Sequence, residues 1–474
     1  MKNRIITRLL FFGALVALWY FCYPHTLIRM EEEAFYVCTP DYFHFRFHMP
    51  EDLMAIMGNF LSQFYQYRWV GAFIHALIPL LTLLGCDILL HRLFHREQWL
   101  CLSFVPACWL AISQTDTLAN GNALMWMCIV YTMALLVIIL SLLLHRFPLI
   151  NIPIPSKVPA FVTWLLPLLL IVCTLSFLYQ STEQREAERH IRIEHFAQEL
   201  KWDKVLAEMP QDYINLSDLE QRYALLALSE KGLLGEKFFN FPKLSSESFQ
   251  YKISGSVEVN RFNALFFWLL DAPNEALRFN YQGGQYGKNG MTFETMRKGL
   301  EWNMLKGDKR QAEFFMNILK HSTCHAKFIR ARKIYLQQTP KEEEAQKTFF
   351  ISTHSIILES TILLGLNPEN QKPLDIMLCG ILAEKELENF YNMMQIYWPK
   401  EKAIPSHYQE ALLMLSRKYP EILTEFPLND RKKAEYKDFS ALLNQSQAGL
   451  NVINIKYKDT FWRYMVLAQK KDSF

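Results

Sequence analysis

The side chains best placed to do chemistry fall in two short stretches. Glu31, Glu32 and Glu33 stand in a row just after the first apolar run, with His44 and His48 further along the same segment. Neighbouring carboxylates can hold a divalent cation or take a proton from a hydroxyl nucleophile, and an imidazole beside them can share that work. The plainer alternative is a solvated acidic cluster that helps to keep its loop out of the membrane. The second stretch is His321-Ser322-Thr323-Cys324-His325. On a helix its two histidines share a face, and the thiolate beside them would make a third ligand of a zinc-like site whose fourth ligand is missing. Ordinary exposed histidines near a helix start are the alternative. The glycine-rich YQGGQYGKNG (281–290) lacks the GK[ST] step of a phosphate loop and has no strand before it, so it reads as a flexible loop. No cofactor is implied by any motif.

Two polar groups sit inside apolar runs, where they demand partners. Asp87 is expected to pair with Arg92 at the interface, and His75 to be a neutral imidazole hydrogen-bonded to a neighbouring helix. Of the nine cysteines, Cys324 and Cys379 are the two beyond the apolar half, and no CxxC pair is present. A Cys324–Cys379 bridge is left open.

The elements that must carry these residues divide the chain at Val158–Tyr179. These 22 uncharged residues make about 33 Å of helix, enough to cross a bilayer. Earlier spans are read at about 5–23, 69–90, 99–113 and 123–144, giving a transmembrane domain over 1–179. The third is short and interrupted by Pro106, so a re-entrant segment is its alternative. Arg8 is expected to snorkel to the interface. Within the loop 24–68, Leu53–Tyr67 is an amphipathic helix that either lies along the membrane surface or packs on the spans. With five spans, Lys2, Arg4, Arg8, Arg92, Arg96, Arg146 and Lys157 all fall on one side, which the positive-inside rule makes cytoplasmic. The N-terminus is then inside, and everything after Tyr179 lies in a periplasm-like space at a bacterial inner membrane.

Residues 180–474 hold 40 Lys+Arg and 38 Asp+Glu, 10 and 9 having been used before them. That balance argues against nucleic-acid binding, which needs a clustered cationic excess. The reading here is all-α. Ser181–Lys201 continues the fifth span into water, and helical hairpins follow with turn centres near 202, 232, 271 and 307. The spacing approaches the ~34 residues of a tetratricopeptide repeat, so 180–339 is read as a degenerate helical-repeat domain. Capping boxes are read at Ser217–Glu220, Asp308–Gln311 and Ser406–Gln409. A C-terminal helical region, 340–474, packs on the repeats, with helices expected at 341–366, 384–397, 406–418, 430–444 and 460–470.

Taken whole, the chain resembles a family of uncharacterised polytopic membrane proteins from Bacteroidota with a helical-repeat C-terminal part of unknown function. The resemblance rests on GNFLSQFYQYRWVGAFIHAL (58–77), RFNALFFWLLDAPNEALRF (261–279), LKGDKRQAEFF (305–315) and YKDTFWRY (457–464). It implies architecture and no site residues. The Glu31–Glu33 placement also resembles the acidic first outer loop of polytopic glycosyltransferases that use lipid-linked sugar donors, although the chain has fewer spans and no Asp-x-Asp. The leading expectation is a non-enzymatic membrane protein whose extracytoplasmic helices bind a protein or peptide. Its rival is such a transferase, with Glu31–Glu33 and His44 or His48 at the site.

Overall fold

The computed structural model describes residues 2–49, 52–94, 97–114, 119–143, 160–210, 216–241, 244, 248, 255–287, 290–338, 355–368 and 370–471. Among these residues every regular element is helical. The first nine helices are α1 (Lys2–Phe21), α2 (Pro24–Glu33), α3 (Pro40–Arg46), α4 (Asp52–Ser62), α5 (Arg68–Phe94), α6 (Phe104–Ser113), α7 (Ala119–Leu143), α8 (Ala160–Gln180) and α9 (Thr182–Gln198). Then come α10 (Trp202–Ala207), α11 (Asp218–Glu230), α12 (Leu234–Lys237), α13 (Val257–Leu269), α14 (Pro273–Tyr286), α15 (Phe293–Lys306), α16 (Lys309–Leu319) and α17 (Ala326–Gln338). The last eight are α18 (Ile356–Leu366), α19 (Gln371–Ala383), α20 (Leu387–Tyr397), α21 (Ser406–Leu415), α22 (Ile422–Glu425), α23 (Asp430–Leu443), α24 (Ser446–Lys456) and α25 (Phe461–Lys471). They form two compact units, one of residues 1–192 with 287–345 and the other of 193–286 with 346–474.

In the first unit, Arg4–Phe21, Arg68–Arg92 and Thr163–Gln180 are long and apolar enough to cross a membrane, whereas Leu100–Ser113 and Leu124–Ile139 are shorter apolar stretches. Their directions follow from who meets whom. Arg8 of α1 pairs with Asp87 near the end of α5, and Arg68 at the start of α5 donates to the Tyr20 carbonyl, so the two helices are antiparallel. The Tyr23 hydroxyl just beyond α1 donates to the Leu178 carbonyl at the end of α8, while Phe11 and Leu15 share a core with Ile171. Thus α1 and α8 run in the same direction. Alongside α5, α7 runs parallel, with Leu124 against Ile78 and Tyr131 donating to the Leu81 carbonyl.

The doubtful stretch before α7 has a physical explanation. Pro106 has no N–H to give the Leu102 carbonyl, and residues Glu97–Ser103 wind as a 3-10 helix ahead of α6. Seven residues at ~2.0 Å and ten at ~1.5 Å reach about 29 Å, more than the ~22 Å of a fifteen-residue α-helix. At its far end the Gln114 carbonyl accepts from His75 Nε2 (3.2 Å), whose Nδ1 faces the Tyr65 hydroxyl (3.1 Å). Both ring nitrogens of His75 therefore have partners. Asp87 pairs with Arg8 and not with the exposed Arg92. The amphipathic helix of 53–67 is α4 followed by a 3-10 turn, Gln63–Gln66, and it packs on α7, where Cys128 Sγ lies 3.8 Å from Met54 Sδ. Only Ser181 separates α8 from α9, and helix-type bonds continue across it: its N–H donates to the Phe177 carbonyl (3.0 Å) and its carbonyl accepts from the Arg185 N–H (3.2 Å).

α2 is held at its start by α9. Glu188 accepts from the His25 N–H (3.0 Å), His25 Nδ1 (2.8 Å), the Thr26 N–H (2.8 Å) and the Thr26 hydroxyl (2.7 Å). A buried carboxylate thus caps the helix N-terminus from another element, where the positive end of the helix dipole favours it. The unit is completed by the hairpin α15–α16 and by α17. Thr292 caps α15, Gly307 (φ 86°) ends it at the expected turn, and of the expected Asp308–Gln311 box the Asp308 side chain accepts from the Gln311 N–H (3.1 Å). A Cβ on Gly299 would lie 2.9 Å from the Phe315 ring, so only glycine lets the two helices approach this closely.

In the second unit, α13 and α14 form a hairpin in which the rings of Phe267 and Phe279 stack 5.5 Å apart. Each expected turn centre carries a left-handed residue, at Leu200, Gly232, Asp271 and, in the first unit, Gly307. The Ser217–Glu220 box forms in full. The Ser406–Gln409 box does not, because Pro405 takes the cap position and Ser406 is already inside α21. Gly283 and Gly284 belong to α14 and not to a loop, Gly283 facing Asn260 of α13. α19 and α24 were not expected, and the helix read from Glu384 begins at Leu387 after a left-handed Lys385. The proposed start of a helix at 341 lies outside the described residues. At the centre of the C-terminal helices, buried Glu410 accepts from Lys432 Nζ (2.6 Å) and the Phe461 N–H (2.8 Å) and faces His407 Nδ1 at 3.1 Å.

Candidate functional site

α2 ends in Glu31, Glu32 and Glu33, the wrong end for negative charge, since the carbonyls of a helix C-terminus already carry the negative end of the dipole. The fold answers by bringing cations and donors to them. The Phe293 N–H donates to the Ala34 carbonyl (3.2 Å), joining the start of α15 to the end of α2. From there α15 offers Arg297 and Lys298, and Arg29 lies one turn back on α2 itself.

Glu31 is buried, and its Oε1 sits 2.6 Å from His325 Nε2. The other ring nitrogen, Nδ1, is 2.8 Å from the Ser322 hydroxyl. Phe293 stacks on the imidazole with centroids 3.6 Å apart and an interplanar angle of 19°, fixing the ring. Serine, histidine and carboxylate thus stand in the order that activates a hydroxyl, but Ser322 and His325 are buried within a single turn. The same three contacts close the start of α17 and tie it to α2.

Glu33 lies 4.0 Å from Arg29, and Glu294 pairs with Lys298 at 2.7 Å, both of the latter buried. Burial pushes the Glu32 carboxyl up, Glu294 and Glu31 push it further, and despite the opposing pull of Arg29 and Arg297 it reaches about 8. Burial also pushes Glu294 up, but Lys298, Arg29 and Arg297 together bring it below the ordinary value. Burial weakens the Arg297 cation, yet Glu32, Glu294, Glu301 and Glu31 around it hold its pKa above normal. Four carboxylates, Glu31, Glu32, Glu33 and Glu294, therefore share Arg29, Arg297, Lys298 and one imidazole. Of these, Glu32 is the carboxyl held above its ordinary range.

The other sequence candidates lie elsewhere. His44 is exposed in the last turn of α3, and His48 is exposed with its backbone N–H donating to Asp52 (2.8 Å). Among the described residues neither bonds to Glu31–Glu33. His321, Cys324 and His325 are not on one helical face, because 321–325 is a turn ahead of α17. His321 is exposed and uses its backbone carbonyl to accept from the Cys38 N–H (3.2 Å). Burial pushes the Cys324 thiol up, away from the thiolate a metal requires. Among the described residues no group of three or more His, Cys, Asp or Glu is arranged to hold a metal ion. None of the nine cysteines is joined in a disulfide, Cys324 and Cys379 included. Sequence reasoning missed Arg29, Glu294, Arg297, Lys298 and Ser322; the four-residue spacings Arg29–Glu33 and Glu294–Lys298 were its only available signal.

The profile of a family of unknown function, DUF6057, matches residues 1–169 and 119–468. The chain belongs to that family. For this DUF6057 member, no curated protein and no solved structure matches. The two matched ranges run through the apolar helices of the first unit and both pieces of each unit, so the buried α2–α15–α17 cluster lies within family sequence.

Proposed function

We propose that this DUF6057 protein is an integral protein of a bacterial inner membrane that presents helical hairpins of a degenerate tetratricopeptide-like type to a protein or peptide partner outside the cytoplasm. The observation that carries this reading is α18. Its inner face buries Ile356, Leu363 and Leu364 together with Glu359 and Ser360, while Leu358 (55% exposed), Ile362 (41%) and Leu366 (52%) form an open row at four-residue spacing. A row of this spacing fits the apolar stripe of a partner helix. Five crossings, alternating through α1, α5, the Glu97–Ser113 stretch, α7 and α8, would place the ends of α1 and α8 on the outer side, in accord with Arg4, Arg8 and Arg92 at the opposite end.

The transferase reading is less well supported, because Glu31, Glu33 and Glu294 are engaged by His325, Arg29 and Lys298 instead of facing a substrate. A photo-crosslinking amino acid at Ile362, compared with one at exposed Lys437, tests the binding reading in intact cells. A protein adduct of discrete mass from position 362 alone, lost with Leu358→Asp and Leu366→Asp, is expected. Lipid adducts only, or the same adducts from both positions, would sink it.

A further inference from the structure

The segment that joins α1 to α5 turns several of its largest apolar side chains outward. Phe45 is 74% exposed, and Phe47, Met49, Leu53 and Met57 are exposed with it. A contiguous apolar patch of this kind marks a surface that meets something other than water. The backbone beneath it is built, not loose. Thr39 caps α3 by accepting from the Tyr42 N–H (3.3 Å), and the Tyr42 hydroxyl donates to the Phe35 carbonyl (2.7 Å). One oxygen of Asp52 accepts from the N–H groups of His48 and Met49, both at 2.8 Å. These bonds hold α3 and the start of α4 in place, so the aromatic side chains between them stay outside.

The level of this arm along the bundle follows from its contacts with α5 and α7. Tyr65, just after α4, lies against Gly71, where a Cβ would stand 3.1 Å from the Tyr65 Cα. Met54 and Leu61 of α4 pack instead on the cluster of Ile78, Leu110 and Leu124, and Met54 Sδ is 3.8 Å from Cys128 Sγ. Ile78 stands ten residues beyond Arg68, about 15 Å of helix. At the start of α5, Tyr67 and Trp69 are exposed, as is Phe21 at the end of α1. Exposed aromatic residues at one end of a set of apolar helices are the composition of a boundary between water and hydrocarbon. From that boundary α4 reaches toward the middle of the apolar stretch Arg68–Arg92. Beside it, α7 turns Trp126, Ile129 and Met133 outward as well.

We propose that α3, α4 and the residues between them form an arm embedded in the phospholipid leaflet at the end of the bundle where α1 finishes. Leu53 and Met57 lie against acyl chains, and Phe45, Phe47 and Met49 enter just beneath the headgroups. The patch continues the outward surface of α7 and the aromatic residues at the boundary, so the hydrocarbon that covers those covers the arm. The arm is then a second, in-plane anchor beside the crossing helices. This inference rests on the reading of the apolar helices as membrane spans, and it holds for either leaflet.

The test places an environment-sensitive fluorescent amino acid at Phe45, Phe47 or Leu53 of the full chain. Two further positions serve as references: Val172, exposed on α8, and Lys437, exposed in the second unit. Each protein is reconstituted in nanodiscs of phosphatidylethanolamine and phosphatidylglycerol, with or without a lipid that carries a nitroxide quencher on its acyl chain. We expect the probes at Phe45, Phe47 and Leu53 to lose most of their emission to the quencher, as the probe at Val172 does, while Lys437 keeps its own. Quenching at Val172 without quenching at the three arm positions would overturn the proposal and leave the membrane reading standing. No quenching at Val172 or in the arm would overturn both. If the arm is shielded from the nitroxide and a photo-crosslinker at Phe47 joins two copies of the chain instead, a dimer interface covers the patch and the proposal falls.

Discussion

Glu32 shows how much a single side chain can depend on neighbours that are remote in sequence. Read alone, it is one of three solvated acids; in the fold it is a carboxyl that titrates near 8 because burial, Glu294 and Glu31 outweigh Arg29 and Arg297. Its folded pKa lies above the ordinary 4.5, so the folded state holds the proton longer than the unfolded chain does. Stability therefore falls as pH rises from about 4.5 through about 8, by at most about 1.4 kcal/mol per pH unit. Glu294 works with the opposite sign: its lowered pKa contributes stability above the ordinary value that is lost only at acidic pH, outside that window. Replacing Glu32 by Gln keeps the shape and removes the titration. The unfolding midpoint of the wild type in nanodiscs should fall between pH 6 and 9, and that of Glu32→Gln should stay nearly level over the same range. Parallel curves would show that Glu32 is not the group responsible.

At the scale of elements, α2 depends on a residue that its own sequence does not contain. Pro24 begins the helix and Tyr23 offers it no side-chain cap, so Glu188 of α9 supplies the acceptor for the His25 and Thr26 N–H groups. Glu188→Ala removes that acceptor and strands two donors, at a cost of about 2 kcal/mol or more, and Glu188→Gln, which keeps one carbonyl, should cost roughly half. Denaturant midpoints of the two variants rank them; equal losses would mean that packing, not capping, is what Glu188 provides. Helix ends that use their own residues were legible in advance at Ser217, Gly307 and Asp308, because the capping group and the capped N–H lie within four residues. α19 was not legible, for a different physical reason. Buried continuously from Pro373 to Ala383, with Asp375 the one charged residue of that stretch, it has no 3.6-residue period to detect. Gly283 and Gly284 misled in the same way, since a glycine that permits close helix packing has the same letter as one that opens a loop.

For the whole molecule, the sequence conveyed the all-helical class and the run of apolar segments, but not the return of residues 287–345 to the N-terminal unit. Glu31 and His325 meet across 294 positions, a separation for which periodicity and spacing carry no signal. The direction of α8 was the open question, because it hung on the short stretch before α7. In the structure the ends of α1 and α8 meet at Tyr23 and Leu178, and their beginnings meet at Arg4, Arg8, Thr163 and Pro167. Whatever the side, the residues after α1 and those after α8 must emerge together. The cationic end holds Arg4, Arg8 and Arg92, so the other end should face outward. Single cysteines at His48, Glu183 and Arg92, all exposed positions, separate these two statements when introduced into a chain whose native cysteines are replaced by serine. A membrane-impermeant maleimide applied to intact spheroplasts should label His48→Cys and Glu183→Cys and leave Arg92→Cys untouched until the membrane is opened. Labelling of Arg92→Cys alone would invert the orientation while keeping α1 and α8 parallel. A difference between His48→Cys and Glu183→Cys would contradict the parallel arrangement itself, and with it the placement of the α2 carboxylates beside Glu188 and His325.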